Sequence, residues 1–286
     1  VKAHTPSEIA AAFVTACRDE LEAPKPGNVH TFAGGHDMEA RHFLDSARIA
    51  AAAIVESGAR VGTRIRKAVE ATFTEVGMNT NLGIILLCGP LACAAESFST
   101  DLRAALASTL KGLGAEDAAD VYAAIARASP GGLGRTTRYD VHEAAPASLI
   151  EAMREAAERD MIARQYVTDF ADVFGIGLPM AAQTETRKGE SIALAVYLAF
   201  LSRFPDTHIV RNHGPDAAAA VMHEAQAFAT RAPSESGTSR FIADLLGFDA
   251  RLKTERINPG TSADLTVATI FAARLTGVLP ISPWDG

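Results

Sequence analysis

The sequence predicts an all-α fold, one compact multi-helix bundle of roughly ten helices spanning residues 1–286 as a single domain. Three observations carry this. Apolar residues recur every three or four positions along most of the chain, which is the period of a helix face. Hydrophobic residues make up 48% of the chain, and much of that share is alanine, the strongest helix former and small enough for close helix packing. Aromatic residues are only 6%, and no alternating stretch reaches strand length; the best candidate, His208-Ile209-Val210, is too short to matter. No fixed-period repeat or low-complexity linker divides the chain.

The elements follow in order. Thr5-Pro6-Ser7-Glu8 is a capping box with proline at the first helical position, and Ile9, Phe13, Val14 and Cys17 continue at helical spacing. Pro24 and Pro26 stop this helix and open the loop KPGNVHTFAGGHDM. Residues 38–57 read as a second helix, with Phe43, Ala47, Ala50 and Ile54 on one face, and Val61, Ile65, Val69, Phe73 and Val76 mark a third. After GMNTN comes LGIILLCGPLACAAES, apolar all round as a buried central helix is, with Pro90 expected to kink or break it. Residues 101–113, 116–128 and 147 to about 174 read as amphipathic helices, the last two separated by the polar loop SPGGLGRTTRYDVHE. Helical periodicity resumes over 190–204 and 215–231. It continues from the Ser234–Gly237 junction through Leu252, and in a last helix from Asn258-Pro259-Gly260-Thr261 to near Gly277.

Composition excludes several function classes. A net charge of -7 with no Lys/Arg run does not make the basic stripe that nucleic acid needs. The most apolar stretch, Leu82 to Ala95, is too short to span a bilayer. The three cysteines, Cys17, Cys88 and Cys93, are odd in number, lack CxxC spacing and lie in apolar helical stretches. They read as buried reduced thiols, and with no apolar signal region in VKAHTPSEIAAAF a cytoplasmic location is expected. Neither a nucleic acid nor a membrane is an expected partner; the Ala-rich helix faces would also serve a homodimer.

Polar chemistry concentrates in four loops: residues 25–37, 77–81, 206–214 and 258–264. Each has a plain structural reading as turns and caps; Asp264, three residues after Thr261, fits a cap. Together they hold four of the eight histidines, His30, His36, His208 and His213, two of them near Asp37 and Asp206. Such groups bind a metal or act as acid and base. Carboxylates with few thiols favour a hard ion such as Mg²⁺, and the spacings make no zinc signature. Glycines let phosphates approach the backbone, and helix N-termini offer amides to anions. No P-loop and no GxGxxG after a strand is present.

In order, KPGNVH at 25–30, HDM at 36–38, GMNTNLG at 77–83, DTHIVRNHG at 206–214 and NPGTSADL at 258–265 resemble the triphosphoribosyl-dephospho-CoA synthase family, as does Glu70 seven residues before Gly77. The resemblance implies an all-helical fold and an ATP- and Mg²⁺-dependent transferase. In the family reaction the 2′-hydroxyl of 3′-dephospho-CoA attacks C1′ of the ATP ribose and adenine leaves. The family's product is the prosthetic-group precursor of citrate lyase and malonate decarboxylase.

Carried onto this chain, the resemblance makes His36 the candidate base and Asp37, Glu70 and Asp206 the other catalytic candidates, with Asp37, Asp206 and Asp264 as Mg²⁺ ligands. Substrate contacts are expected from Lys25, Gly27, Asn28 and His30, from Asn79, Thr80 and Asn81, from His208, Arg211 and His213, and from Gly260 and Ser262. The chain departs from the family at four points. Asn81-Leu82 stands in place of His-Lys, His30 in place of Asp, Asn258 in place of Ser, and Asn212-His213-Gly214 in place of Arg-Gly-Gly. The NTNLG form resembles a branch associated with tetrahydromethanopterin-type one-carbon cofactors, so an enzyme of that biosynthesis acting on another phosphorylated substrate is a rival reading. A metal-assisted hydrolase and a non-catalytic cofactor-binding protein are the others.

Overall fold

Helix α14 (Gly260–Leu275) runs through the middle of the protein: every residue from Thr261 to Leu275 is buried except Asp264. The computed structural model describes residues 3–34, 38–97, 101–131, 138–143, 145, 148–186 and 190–281. Among these residues there are fourteen α-helices and no strand, only an isolated bridge between His30 and Ala33. Around α14 pack α1 (Pro6–Leu21), α4 (Leu82–Ala95), α9 (Leu178–Glu185) and α10 (Ile192–Leu201). Outside them, α2 (Ala40–Ile54), α3 (Val61–Val76) and α6 (Ala115–Ala128) form one flank, and α5 (Leu102–Lys111) lies on α4. The other flank holds α11 (Thr207–His213), α12 (Pro215–Glu235) and α13 (Ser239–Thr254), while α7 (Leu149–Ala156) and α8 (Met161–Val167) pack on each other beside α4 and α6.

Local chemistry explains where these helices start. The capping box is formed: the Glu8 amide donates to Thr5 Oγ1 at 3.2 Å and the Thr5 amide to the Glu8 carboxylate at 2.7 Å. Helix α4 is buried on all sides, as its apolar sequence requires, but Pro90 does not interrupt it. Proline removes the N–H that would bond the Leu86 carbonyl, and the Tyr166 hydroxyl donates to that oxygen instead, at 2.5 Å. Gly89 lets Ile65 of α3 approach; a Cβ there would lie 2.9 Å from Ile65 Cγ1. Arg64 is buried and closes the far end, donating to Ile54 O and pairing with Glu96 at 2.7 and 2.8 Å.

The helix count exceeds the expected ten for two reasons. The stretch read as one helix from 147 to about 174 is broken. Asp160 caps α8 by accepting from the Ile162 and Ala163 amides, and Asp169 and Phe170 take left-handed φ values of 51° and 55° before a π-helical turn over Val173–Gly177. The segment after Asp206, read as loop with a three-residue strand candidate, is a short helix. Asp206 caps it through the His208 and Ile209 amides, at 2.9 and 3.2 Å.

Candidate active site

A cavity of about 590 Å³ opens between the N-termini of α4 and α14, with α6, α7 and α8 as its far wall. That is within the usual range for small-molecule sites. Two short loops line it. Gly77 ends α3 in a left-handed conformation (φ 78°), and the turn that follows brings Asn79, Thr80 and Asn81 to the cavity. Asn79 Oδ1 accepts from the Leu82 amide at 3.2 Å, and Thr80 and Asn81 are held by Ser46, at 2.6 and 3.4 Å. The loop after α1 turns at Gly27 (φ 78°), where a Cβ would lie 2.8 Å from Pro259 Cδ. This contact sets Asn28, which donates to Asn258 Oδ1 at 2.8 Å across the junction with α14.

Asp264 is the acid at the closed end. With Ala263 beside it, it lines the cavity from the first turns of α14. No protein group among the described residues hydrogen-bonds its carboxylate. Burial raises its pKa well above the usual carboxylate range, and the nearby Asp206 and Glu20 charges raise it further, against a smaller opposing effect of Arg211. Glu20, at the end of α1, also lines the cavity and pairs with buried Lys25 at 2.9 Å. Arg211 pairs with Asp160 at 2.6 Å, while its Nε is buried with no partner among the described residues. Arg159 and Arg138 stand exposed at the rim. Opposite them the wall is apolar, built from Leu82, Val121, Ile125, Leu149 and Met153.

The residues expected from sequence divide into three groups. Asn28, Asn79, Thr80, Asn81, His208, Arg211, Gly260 and Asp264 do line the cavity. His208 donates from Nδ1 to the Asn258 carbonyl at 2.8 Å, which makes Nε2 the ring's accepting nitrogen. A Cβ on Gly260 would sit 3.4 Å from that ring.

The second group serves the frame. Lys25 is fully buried; its ammonium meets Glu20 and the Val29 carbonyl (2.7 Å), and it does not line the cavity. Gly27 is a close-contact turn whose amide donates to Asp249 at 2.9 Å. His30 is buried between Ala33 N, Asp249 and Lys253; burial lowers its pKa, Nδ1 accepts from the Ala33 amide and Nε2 faces Asp249. Asp206 takes four donors: the His208 and Ile209 amides on one oxygen, and the Ser262 amide and hydroxyl on the other, at 2.7 and 2.8 Å. That arrangement fits a double helix cap for α11 and α14. Ser262 is its partner, and His213 is exposed and bonded to the Arg256 carbonyl at 3.0 Å. Glu70 sits half-exposed on α3, paired with Arg66 at 3.2 Å, and does not reach the cavity. Third, His36 and Asp37 lie outside the described residues; Met38, next to them in the chain, lines the cavity.

Among the described residues no three His, Cys, Asp or Glu side chains gather as a metal cage. Glu20, Asp160, Arg159 and Gly83 were not singled out by the sequence. Glu20 and Asp160 sit at helix ends, where a carboxylate reads as an ordinary cap or surface charge. Gly83 carried a signal in being part of GMNTNLG: it faces the Asp264 carboxylate, which a Cβ would overlap.

Comparison with known proteins agrees with this architecture. Residues 6–281 match the family model described as CitG: ATP:dephospho-CoA triphosphoribosyl transferase. Among solved structures, a candidate triphosphoribosyl-dephospho-CoA synthase from Archaeoglobus fulgidus superimposes with a TM-score of 0.66. It is 25% identical, with 82% of this chain and 100% of that chain covered. No curated protein sequence matches significantly.

Proposed function

The chain belongs to the ATP:dephospho-CoA triphosphoribosyl transferase family, and on that premise we propose that the cavity transfers the triphosphoribosyl group of ATP to a hydroxyl of 3′-dephospho-CoA or a related acceptor. The C1′–N9 bond of ATP breaks and its electron pair leaves with adenine. A C1′–O bond forms to the acceptor, whose hydroxyl gives up a proton, and adenine takes one up.

The observation that carries this reading is Asp264. A carboxylate deep in a ligand-sized cavity, with no hydrogen-bond partner among the described residues and a pKa raised by burial, binds a proton more tightly than an ordinary carboxylate and is suited to take one from the acceptor hydroxyl. It replaces His36 as the proposed base. The apolar wall of Val121, Ile125, Leu149 and Met153 suits a nucleobase, and Arg159, Arg138 and Arg211 suit the triphosphate. Mg²⁺ enters with the ATP, carried by phosphate oxygens and water, as this ion commonly is. The free thiols Cys17, Cys88 and Cys93 support a cytoplasmic setting, and among the described residues no helix is long and apolar enough to cross a membrane.

One observation supports a different acceptor. Leu82 forms part of the cavity wall where the family resemblance implies a lysine, so this point offers no charge to an acceptor phosphate. An acceptor from one-carbon cofactor biosynthesis, phosphorylated elsewhere, suits that wall. Incubation with ATP and Mg²⁺, with and without acceptor, followed by chromatography for adenine, tests the proposal. Adenine released only with acceptor supports transfer; equal release without acceptor would make the protein a hydrolase and overturn it.

A further inference from the structure

Two carboxylates enter the cavity from neighbouring helices, and the chain treats them oppositely. Asp264 on α14 forms no ion pair among the described residues, Arg211 acting on it only as a nearby charge. Glu20 on α1 is bound to the Lys25 ammonium at 2.9 Å, and both side chains are buried. Lys25 is itself fixed by its bond to the Val29 carbonyl at 2.7 Å, at the end of the turn that also delivers Asn28 to the cavity. Sealing a lysine wholly inside the protein is costly unless its charge is used. A purely structural pair would leave both partners inside the wall, yet Glu20 lines the cavity.

We infer that Glu20 is the carboxylate that faces the ribose as positive charge develops at C1′, and that Lys25 is the positioning residue that aims Glu20 and favours its ionised form. This rests on the transferase reading and adds to it a division of labour. As the C1′–N9 bond breaks, its electron pair departs with adenine and the ring carries the charge. Glu20 lies against that ring and forms no bond to it, while the acceptor oxygen bonds C1′ and its proton passes to Asp264. Two acids with separate duties follow the pattern known from glycoside chemistry. Burial raises the pKa of both acids; at Glu20 the adjacent Lys25 ammonium opposes that rise, whereas among the described residues Asp264 has only the smaller opposing effect of Arg211.

The experiment uses the full chain and four variants: Glu20→Gln, Lys25→Arg, Lys25→Met and the double change Glu20→Gln with Lys25→Met. Each is measured for adenine release, for melting temperature, and for binding of 1,4-dideoxy-1,4-imino-D-ribitol, whose protonated ring imitates the ribose cation. Glu20→Gln is expected to lower kcat by about 10²-fold with KM for ATP within about threefold, because the interaction is made in the transition state. Lys25→Arg keeps most activity. Lys25→Met leaves a buried unpaired carboxylate and loses both stability and activity. The double variant regains stability, since removing both members of a buried pair is close to neutral, and still lacks activity and the iminoribitol site.

A double variant within about fivefold of wild-type activity would overturn the inference and leave the transferase reading standing. A wild-type protein that releases no adenine but binds iminoribitol in a Glu20-dependent way would do the reverse. Iminoribitol binding equal in wild type and Glu20→Gln would overturn the inference whatever the activity.

Discussion

The carboxylate of Asp264 occupies the space that a Cβ on Gly83 would need. One residue comes from the start of α4 and the other from the first turns of α14, 181 positions later in the chain. The contact joins the two most buried helices at the closed end of the cavity, and it fixes where the proposed base stands. Gly83→Ala is therefore expected to displace Asp264 and press on Ile162 Cδ1, which a Cβ would approach to 2.9 Å. Overpacking of this kind costs about 1–3 kcal/mol. Denaturant melts should show that loss, and steady-state kinetics should show a fall in kcat larger than the change in KM for ATP.

Asp264→Asn is expected to separate stability from activity. The folded-state pKa of Asp264 is raised, so the folded protein holds its proton more tightly than the unfolded chain. Its contribution to stability therefore falls as pH rises from the ordinary carboxylate pKa through the raised one. Removing the carboxyl removes that loss. The melting temperature of the variant should match wild type near pH 4 and exceed it increasingly as pH rises, while adenine release falls by about 10²–10³-fold. A variant no more stable than wild type at pH 8 would contradict the burial of this acid.

Asp206→Ala removes the acceptor for four donors at two helix N-termini. One cap is worth ~1 kcal/mol and an orphaned buried donor about 1–3 kcal/mol. A loss of about 3 kcal/mol in urea unfolding is expected. The Mg²⁺ concentration giving half-maximal activity of the residual folded enzyme should not move; a large increase would restore Asp206 as a metal ligand.

Tyr166→Phe strands the Leu86 carbonyl that Pro90 has already deprived of its helical partner. The expected cost is about 1–3 kcal/mol. In a Pro90→Ala background the helix can supply its own N–H, so the same change should cost much less. A double-mutant cycle by thermal or urea melting reads the difference as coupling.

Arg159→Ala at the exposed rim is expected to raise KM for ATP by about tenfold with kcat little changed, and the effect should shrink as salt is added. The salt series separates phosphate attraction from a change in packing.

The helices were legible because each carries its own period and its own cap. Thr5 and Glu8 announce α1, and the apolar run after Asn81 announces a buried helix. Boundaries failed where a carboxylate capped an unannounced turn. Asp160 split one expected helix, and Asp206 made a helix of residues whose branched side chains suggested loop or strand. The site was legible as a set of loops but not as a set of roles. Lys25 and His30 look like ligand-binding residues; the partner of Lys25, Glu20, lies only five residues before it across a turn, whereas that of His30, Asp249, comes from a distant helix that no local spacing reveals. Asp249 illustrates the point: burial alone would raise its pKa, but hydrogen bonds from His30, Lys253 and Gly27 hold it below the usual range. Glu20 was hidden for the converse reason, since one acidic residue at the end of an amphipathic helix looks like surface charge.

Acceptor-dependent formation of the adduct tests the transferase assignment most directly. The protein would be incubated with ATP, Mg²⁺ and 3′-dephospho-CoA, or with a phosphorylated one-carbon cofactor intermediate, and the products weighed by mass spectrometry. Free adenine together with the triphosphoribosyl adduct, both lost in Asp264→Asn, is the expected result. Adduct formed at wild-type rate by a folded Asp264→Asn protein, or adenine released with no adduct from any acceptor, would contradict it.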